Sequence, residues 1–207
     1  MKRKLDIASW NRKEHFEFFS KMEEPFFGFT VNIDCTVAYE KAKKQDISFF
    51  NYYLHKTLVA TNAIECFRYR IENGEIFVYD TINVSSTIMR EDKTFGFSLI
   101  EFHEDIHTFN TIAKKEIERV QNTTGLITRD FSDTNLIHFS AVPWIDFTSV
   151  AHARGFNYPD SCPKIAFGAL REENGKKYMP LSVHVHHGLM DGYHVGLFLE
   201  RLNAEMQ

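Results

Sequence analysis

The stretch Val183–Gly192 limits what this chain can fold into more than any other. From Pro180 to Val185 the residues alternate. Val183 and Val185 fall on one face, and Ser182, His184 and His186 on the other, which predicts a strand. Beyond it, Val195, Phe198, Leu199 and Leu202 recur at helical spacing, so a helix is expected over 192–204. Asp191 stands at the N-cap position, where a carboxylate accepts from free N–H groups and suits the helix dipole. A histidine pair, His186 and His187, therefore leaves the end of a strand, and a carboxylate follows at the mouth of a helix. Gly188 and Gly192 are expected to supply the unusual backbone such a corner needs.

The 207 residues suit one domain, 1–207, with a full core. A net charge of -4 argues against nucleic acid as a partner. No apolar run is long enough to span a bilayer, and the basic start Met1–Lys4 leads into no signal-peptide core, so a cytoplasmic protein is expected. Cys35, Cys66 and Cys162 are scattered and odd in number, which reads as free thiols in a reducing compartment. Their spacing suits no zinc site, and no metal is expected. His184 and His186, two apart on one strand face, have a spacing that can chelate a metal, a runner-up reading of the histidine cluster. Twenty phenylalanines fit a Phe-rich core, an aromatic ligand pocket, or both.

In chain order, a short strand is expected over Lys4–Ile7 and a helix from Trp10 to Met22 with Phe16 and Phe19 inward. Phe27–Cys35 alternates as a half-buried strand. Thr36–Lys44 reads as a polar helix, and a second helix, capped by Asp46 or Ser48, runs to Ile64. Phe67–Ile71 and Ile76–Asp80 flank a turn and predict a hairpin. Strands are expected over Val84–Met89, Thr94–Phe102, the Ile137 segment, Lys164–Leu170 and Lys177–Val185, with a turn over Arg171–Gly175. An amphipathic helix is expected over Asp105–Gln121, then a polar loop to Asn135. Strands and helices intermix without regular alternation, which predicts a mixed sheet with helices packed on it.

His186-His187-Gly188-Leu189-Met190-Asp191-Gly192 fits the HHxxxDG signature of CoA-dependent acyltransferases. The following Gly192-Tyr193-His194-Val195, the opening Trp10-Asn11-Arg12-Lys13-Glu14-His15-Phe16, and the segment Ser140-Ala141-Val142-Pro143-Trp144-Ile145-Asp146-Phe147 resemble the chloramphenicol acetyltransferases collinearly over nearly the whole chain. The resemblance implies an α/β (α+β) two-layer sandwich, the CoA-dependent acyltransferase fold, assembled as a homotrimer with active sites between subunits. It implies an acetyl-CoA-dependent O-acetyltransferase acting on a hydroxyl of chloramphenicol or a related small molecule, with no covalent enzyme intermediate.

Residue by residue, it implies His187 as the general base, with its other ring nitrogen bonded to its own carbonyl, and Ser140 as the oxyanion donor. Histidine suits the first task because its ordinary pKa of about 6.5 leaves it mostly neutral near pH 7. Asp191 and Arg12 are expected to pair as structural support, with Gly192 and a hydrogen-bonded His186. Phe19, Phe27, Phe29, Phe95 and Phe97 are expected to wall an aromatic acceptor pocket, and Trp144 to meet the CoA donor. The chain departs from the family in that pocket. Val150, His152 and Arg154 stand in a stretch that is usually apolar, and Ala166 stands where a threonine is usual. Two other functions stay open: the same catalytic fold with a different alcohol or amine acceptor, and a non-catalytic ligand-binding trimer.

Overall fold

The structure, a computed structural model, describes residues 1–131, 134–155 and 160–207. Residues 132 and 133 of the expected loop thus lie outside the described residues. Its large sheet contains β2 (Phe26–Asp34), β5 (Asn83–Met89), β6 (Phe95–Phe97), β7 (Leu136–Ala141), β8 (Lys164–Phe167) and β10 (Lys176–His186). Their order is β2-β10-β8-β7-β5-β6, and β9 (Arg171–Glu173) pairs with the start of β10. The pairs β5–β7 and β7–β8 are parallel and the others antiparallel, so the sheet is mixed. A small sheet of β1 (Lys2–Lys4), β4 (Glu75–Tyr79) and β3 (Tyr69–Glu72) stands beside it.

The alternation read from the sequence decides which face meets the helices. Leu181, Val183 and Val185 of β10 join Ile165 and Phe167 of β8 in one buried cluster. The same cluster takes Leu54 and Leu58 from α3 (Phe49–Ala63), Phe109 from α4 (Ile106–Gln121), Ala38 and Ala42 from α2 (Thr36–Lys44), and Phe198 and Leu202 from α5 (Gly192–Met206). The two-layer arrangement follows, because each element has one apolar face to cover. The helices begin where capping groups stand. Ser48 Oγ accepts from Asn51 N at the start of α3, and Asp105 accepts from Thr108 N at the start of α4.

The opposite sheet face is polar and has a fixed register. Thr30, Ser182, Ala166 and Ser140 lie side by side across β2, β10, β8 and β7. The next row holds Gly28, His184, Lys164 and His138. Lys164 and Ala166 are buried although they face away from the helices, because the segment after β7 folds over them. A Cβ on Gly168 would meet Ile145 O at 2.6 Å and the Phe147 ring at 2.9 Å, so that segment lies directly on the strand ends.

Some boundaries differ from the sequence expectation. The first strand ends at Lys4, because the Asp6 carboxylate accepts from Ala8 N and Ser9 Oγ and closes a turn over residues where a strand was expected. Helix α1 runs only over Lys13–Phe19 and has no side-chain cap. Strand β6 stops at Phe97; two residues on, Leu99 N turns to the Glu116 carboxylate at 2.8 Å. The expected turn from Arg171 contains strand β9, and the reversal falls on Asn174 and Gly175, both with positive φ.

Candidate active site

The corner after β10 is built by three anchors. His187 N donates to Pro25 O at 2.8 Å, extending the ladder between β10 and the approach to β2. Arg12, buried, donates from Nη1 to Asp191 Oδ2 at 2.6 Å and from Nη2 to the His187 carbonyl at 3.3 Å. Asp191 Oδ1 accepts from Tyr193 N at 3.0 Å and so caps α5, with His194 Nδ1 at 2.9 Å from the same oxygen. One guanidinium thus ties the histidine's backbone to the carboxylate that starts the helix. Burial pushes the Asp191 carboxyl up, but the hydrogen bonds from Arg12 and then His194 outweigh it and hold the pKa down at about 2.

His187 is clamped by aromatic rings. Phe19 stacks on it with centroids 3.8 Å apart and planes 7° apart, and Phe27 tilts against it at 4.3 Å. Phe29, 46% exposed, stands edge-on to Phe27 and shields Gly192. Phe19 therefore serves the histidine and not the core. Among the described residues, Nδ1 of His187 is buried without a hydrogen-bond partner, and the carbonyl expected to bind it accepts from Arg12. That leaves Nε2 as the nitrogen able to meet a substrate.

His186 points into the structure. Its Nδ1 accepts from Gly188 N at 3.1 Å, and burial, then Arg154, push its pKa down to about 4. Gly188 and Gly192, expected to supply an unusual backbone, do not have positive φ. A Cβ on Gly188 would meet the His186 ring at 3.0 Å, and one on Gly192 would meet Phe29 at 3.6 Å. Close approach explains the first glycine; packing leaves room for a small side chain at the second.

Other predicted site residues lie far from this corner. Ser140 shares a row with Ser182, and His187 follows Ser182 by five residues, two strands across. At about 3.3 Å per residue and about 4.8 Å per strand, Ser140 and His187 sit roughly 19 Å apart within one chain. Phe95 and Phe97 lie on β6, the opposite edge of the sheet from β2. Within one chain the five phenylalanines do not gather: Phe19, Phe27 and Phe29 lie at one edge, Phe95 and Phe97 at the other. Trp144 is 67% exposed in the segment after β7. Val150 is half-buried in the same segment, and Ala166 is fully buried between Ser140 and Ser182.

His152 and Arg154 lie over the polar face. The His152 ring meets His184 edge-on at 5.0 Å, and Arg154 lies 3.6 Å over the Phe26 ring and pairs with Glu24. Sequence reasoning had no signal for Gly28, whose missing side chain makes room for His184; a Cβ there would meet that ring at 2.6 Å. Among the described residues, the chelating pair His184 and His186 gathers no third ligand. Among the described residues, the metal-like group is His138, Asp160 and Cys162, with ligand atoms within 4.8 Å, and there the Lys164 ammonium already pairs with Asp160.

Solved structures place this architecture in a known class. A probable dihydrolipoamide acetyltransferase from Listeria monocytogenes aligns over 93% of this chain and 88% of its own at 15% identity, TM-score 0.67. A truncated catalytic core of the 2-oxoacid dehydrogenase multienzyme complex from Thermoplasma acidophilum covers 99% and 97% at 16% identity, TM-score 0.69. The fold is that of the CoA-dependent acyltransferases. The chloramphenicol acetyltransferase family model matches residues 2–203, and the chain belongs to that family, as an acyltransferase enzyme. A relative named chloramphenicol acetyltransferase from Escherichia coli is 30% identical, covering 96% of this chain and 90% of its own. One from Campylobacter coli is also 30% identical, covering 96% and 95%. A solved chloramphenicol acetyltransferase covers 100% of both chains at 31% identity, TM-score 0.91.

Proposed function

We propose that this enzyme transfers the acetyl group of acetyl-CoA to a hydroxyl of chloramphenicol or a closely related small alcohol. The observation that carries the reading is the His187 corner, where one buried arginine and two aromatic rings fix the imidazole. His187 Nε2 takes the hydroxyl proton as the alcohol oxygen attacks the thioester carbon. The C–O bond forms, and Ser140 Oγ–H donates to the oxyanion. Collapse breaks the C–S bond, and the leaving thiolate recovers the proton from the imidazolium. A positioned base contributes roughly 10²–10⁴-fold and an oxyanion donor roughly 10²–10³-fold. Asp191 is structural, since its carboxylate is spent on Arg12, His194 and the helix cap.

Ser140 and His187 cannot meet one substrate from a single chain. A homotrimer solves this by bringing the His187 edge of one subunit to the Ser140 face of the next, a heterologous contact that closes into a ring. Exposed Phe29 at one edge and exposed Phe95 at the other fit such a junction. Trp144 is assigned to the donor side, where an exposed indole offers the pantetheine arm an apolar surface. One contiguous core supports a single domain over 1–207. No helix among the described residues is long and apolar enough to cross a membrane, and free buried cysteines fit a cytoplasmic location.

The test is thiol release from acetyl-CoA in the presence of chloramphenicol. The wild type should release thiol, and folded His187→Ala should lose at least about two decades of turnover. Near-normal activity in that variant would reject the base assignment.

A further inference from the structure

The hold on the His187 imidazole is indirect. Among the described residues its Nδ1 has no hydrogen-bond partner, so its aim rests on two phenylalanine rings and on the position of its own backbone. Arg12 Nη2 reaches that backbone at the His187 carbonyl, 3.3 Å away, and Arg12 Nη1 is held in turn by Asp191 Oδ2 at 2.6 Å. Whatever fixes Asp191 therefore reaches the base.

A carboxylate with one oxygen on an arginine can still swing about its Cβ–Cγ bond, because that torsion is broad and soft. The other oxygen decides the plane. Asp191 Oδ1 accepts from Tyr193 N at 3.0 Å and lies 2.9 Å from His194 Nδ1. The first donor is backbone and comes with any helix capped this way. The second is a half-buried side chain that the reaction scheme does not use.

His194 Nδ1 also lies 3.2 Å from Asp191 N. One ring nitrogen cannot serve both neighbours. Unprotonated it accepts from the amide, and protonated it donates to the carboxylate. The carboxylate contact is the shorter, and a hydrogen bond to an ionised oxygen is the stronger kind. Donation also removes a lone pair that would otherwise face a negative charge. The Asp191 amide loses little, because it stands at the half-buried mouth of α5 beside exposed Gly192 and Tyr193, where water can serve it.

Resting on the acetyl-transfer reading above, we infer that His194 is a positioning residue for the base: its Nδ1–H donates to Asp191 Oδ1 and fixes the carboxylate plane from which Arg12 holds the His187 backbone. It acts only through Asp191, Arg12 and that backbone. Asparagine, whose amide nitrogen stands close to the place of Nδ1, can make the same bond, and leucine cannot.

The test combines imidazole nitrogen NMR spectra with steady-state thiol release, on the wild type, His194→Leu and His194→Asn. In the wild type, His194 Nδ1 should carry a hydrogen. His194→Leu should lower kcat about tenfold with KM for either substrate within about twofold, and should shift the His187 ring signals. His194→Asn should bring kcat back to within about threefold of the wild type and the His187 signals with it. A merely structural role would lower stability in both variants and leave the kcat split and the His187 signals alone. An unprotonated Nδ1 in the wild type, unchanged kcat and His187 signals in His194→Leu, or equal losses in both variants overturn the proposal. If His194→Leu does not fold, the wild-type spectrum and the recovery in His194→Asn still decide it. Absence of thiol release from all three proteins would overturn the acetyl-transfer reading instead, and the His187 signals would then decide the positioning role alone.

Discussion

The two edges of the large sheet carry different kinds of structure. At the β2–β10 edge, His187 is tied through its amide, its carbonyl and both faces of its ring. Toward the other edge, Ser140 sits on the interior strand β7, between β8 and β5, with the exposed Trp144 in the segment that follows it and the exposed Phe95 on the short edge strand β6. The first half is rigid within one chain. The second is open on the surface a partner would cover. A base must hold its orientation to within tenths of an ångström, whereas an oxyanion donor on a strand is placed by the sheet itself. On the proposed shared site, each chain would carry two half-sites, with the one that needs the most positioning built entirely from its own residues.

The largest effects should come from removing one function at each edge. His187→Ala should lose at least about two decades of turnover and Ser140→Ala roughly 10²–10³-fold, both with folding intact. Steady-state rates with circular dichroism check this. A Ser140→Ala variant within a few-fold of wild type would remove the second half-site.

Asp191→Asn should act next, on stability and turnover together. It weakens a charge-assisted bond worth about 1.5–3 kcal/mol, reduced somewhat because the carboxylate is about one-third exposed. A double-mutant cycle with Arg12→Lys should show coupling between the two residues, and additive losses would reject the buttress. The pH dependence has two windows. His152 and His186, depressed to about 4, stay neutral in the fold while the unfolded chain takes protons, so stability falls as pH drops from about 6.5 to about 4. Asp191, depressed to about 2, adds stability above the ordinary carboxylate range that is lost as pH falls through about 2. Denaturant melts over that range should show Asp191→Asn altering the lower window and leaving the upper one.

The smallest expected effect is Ala166→Thr. Ala166 is fully buried between Ser140 and Ser182, so an added hydroxyl stands beside the proposed oxyanion donor. A few-fold gain in turnover on chloramphenicol is expected, with little change in KM. A wild type already fully efficient, with no response to the substitution, would show that this position is not limiting.

Much of the fold was legible because its signals are local. Alternation marked the two faces of β10, Asp191, Ser48 and Asp105 marked helix starts, and the β3–β4 hairpin followed from its turn. The corner was legible as a motif, but its anchoring was not. No periodicity indicates that Arg12 reaches the His187 carbonyl, or that Pro25 receives its amide. The placing of the phenylalanines within the chain was not legible for a related reason. A strand's pattern gives the face a residue occupies, not which sheet edge the strand takes, so Phe27 and Phe95 looked alike in sequence and lie on opposite edges. The glycines at 188 and 192 were read as backbone devices; the packed ring of His186 shows that space is what Gly188 provides, whereas Phe29 leaves room for a small side chain at 192.

The most direct test of a shared site uses mixed oligomers. Chains carrying Ser140→Ala and chains carrying His187→Ala are coexpressed and co-purified, and thiol release is compared with each variant alone. If each site takes His187 from one subunit and Ser140 from its neighbour, random mixing restores an intact pair at about a quarter of the junctions, and about a quarter of wild-type activity should return. Activity that stays at the level of the separate variants would contradict the account and place both residues' work within a single chain.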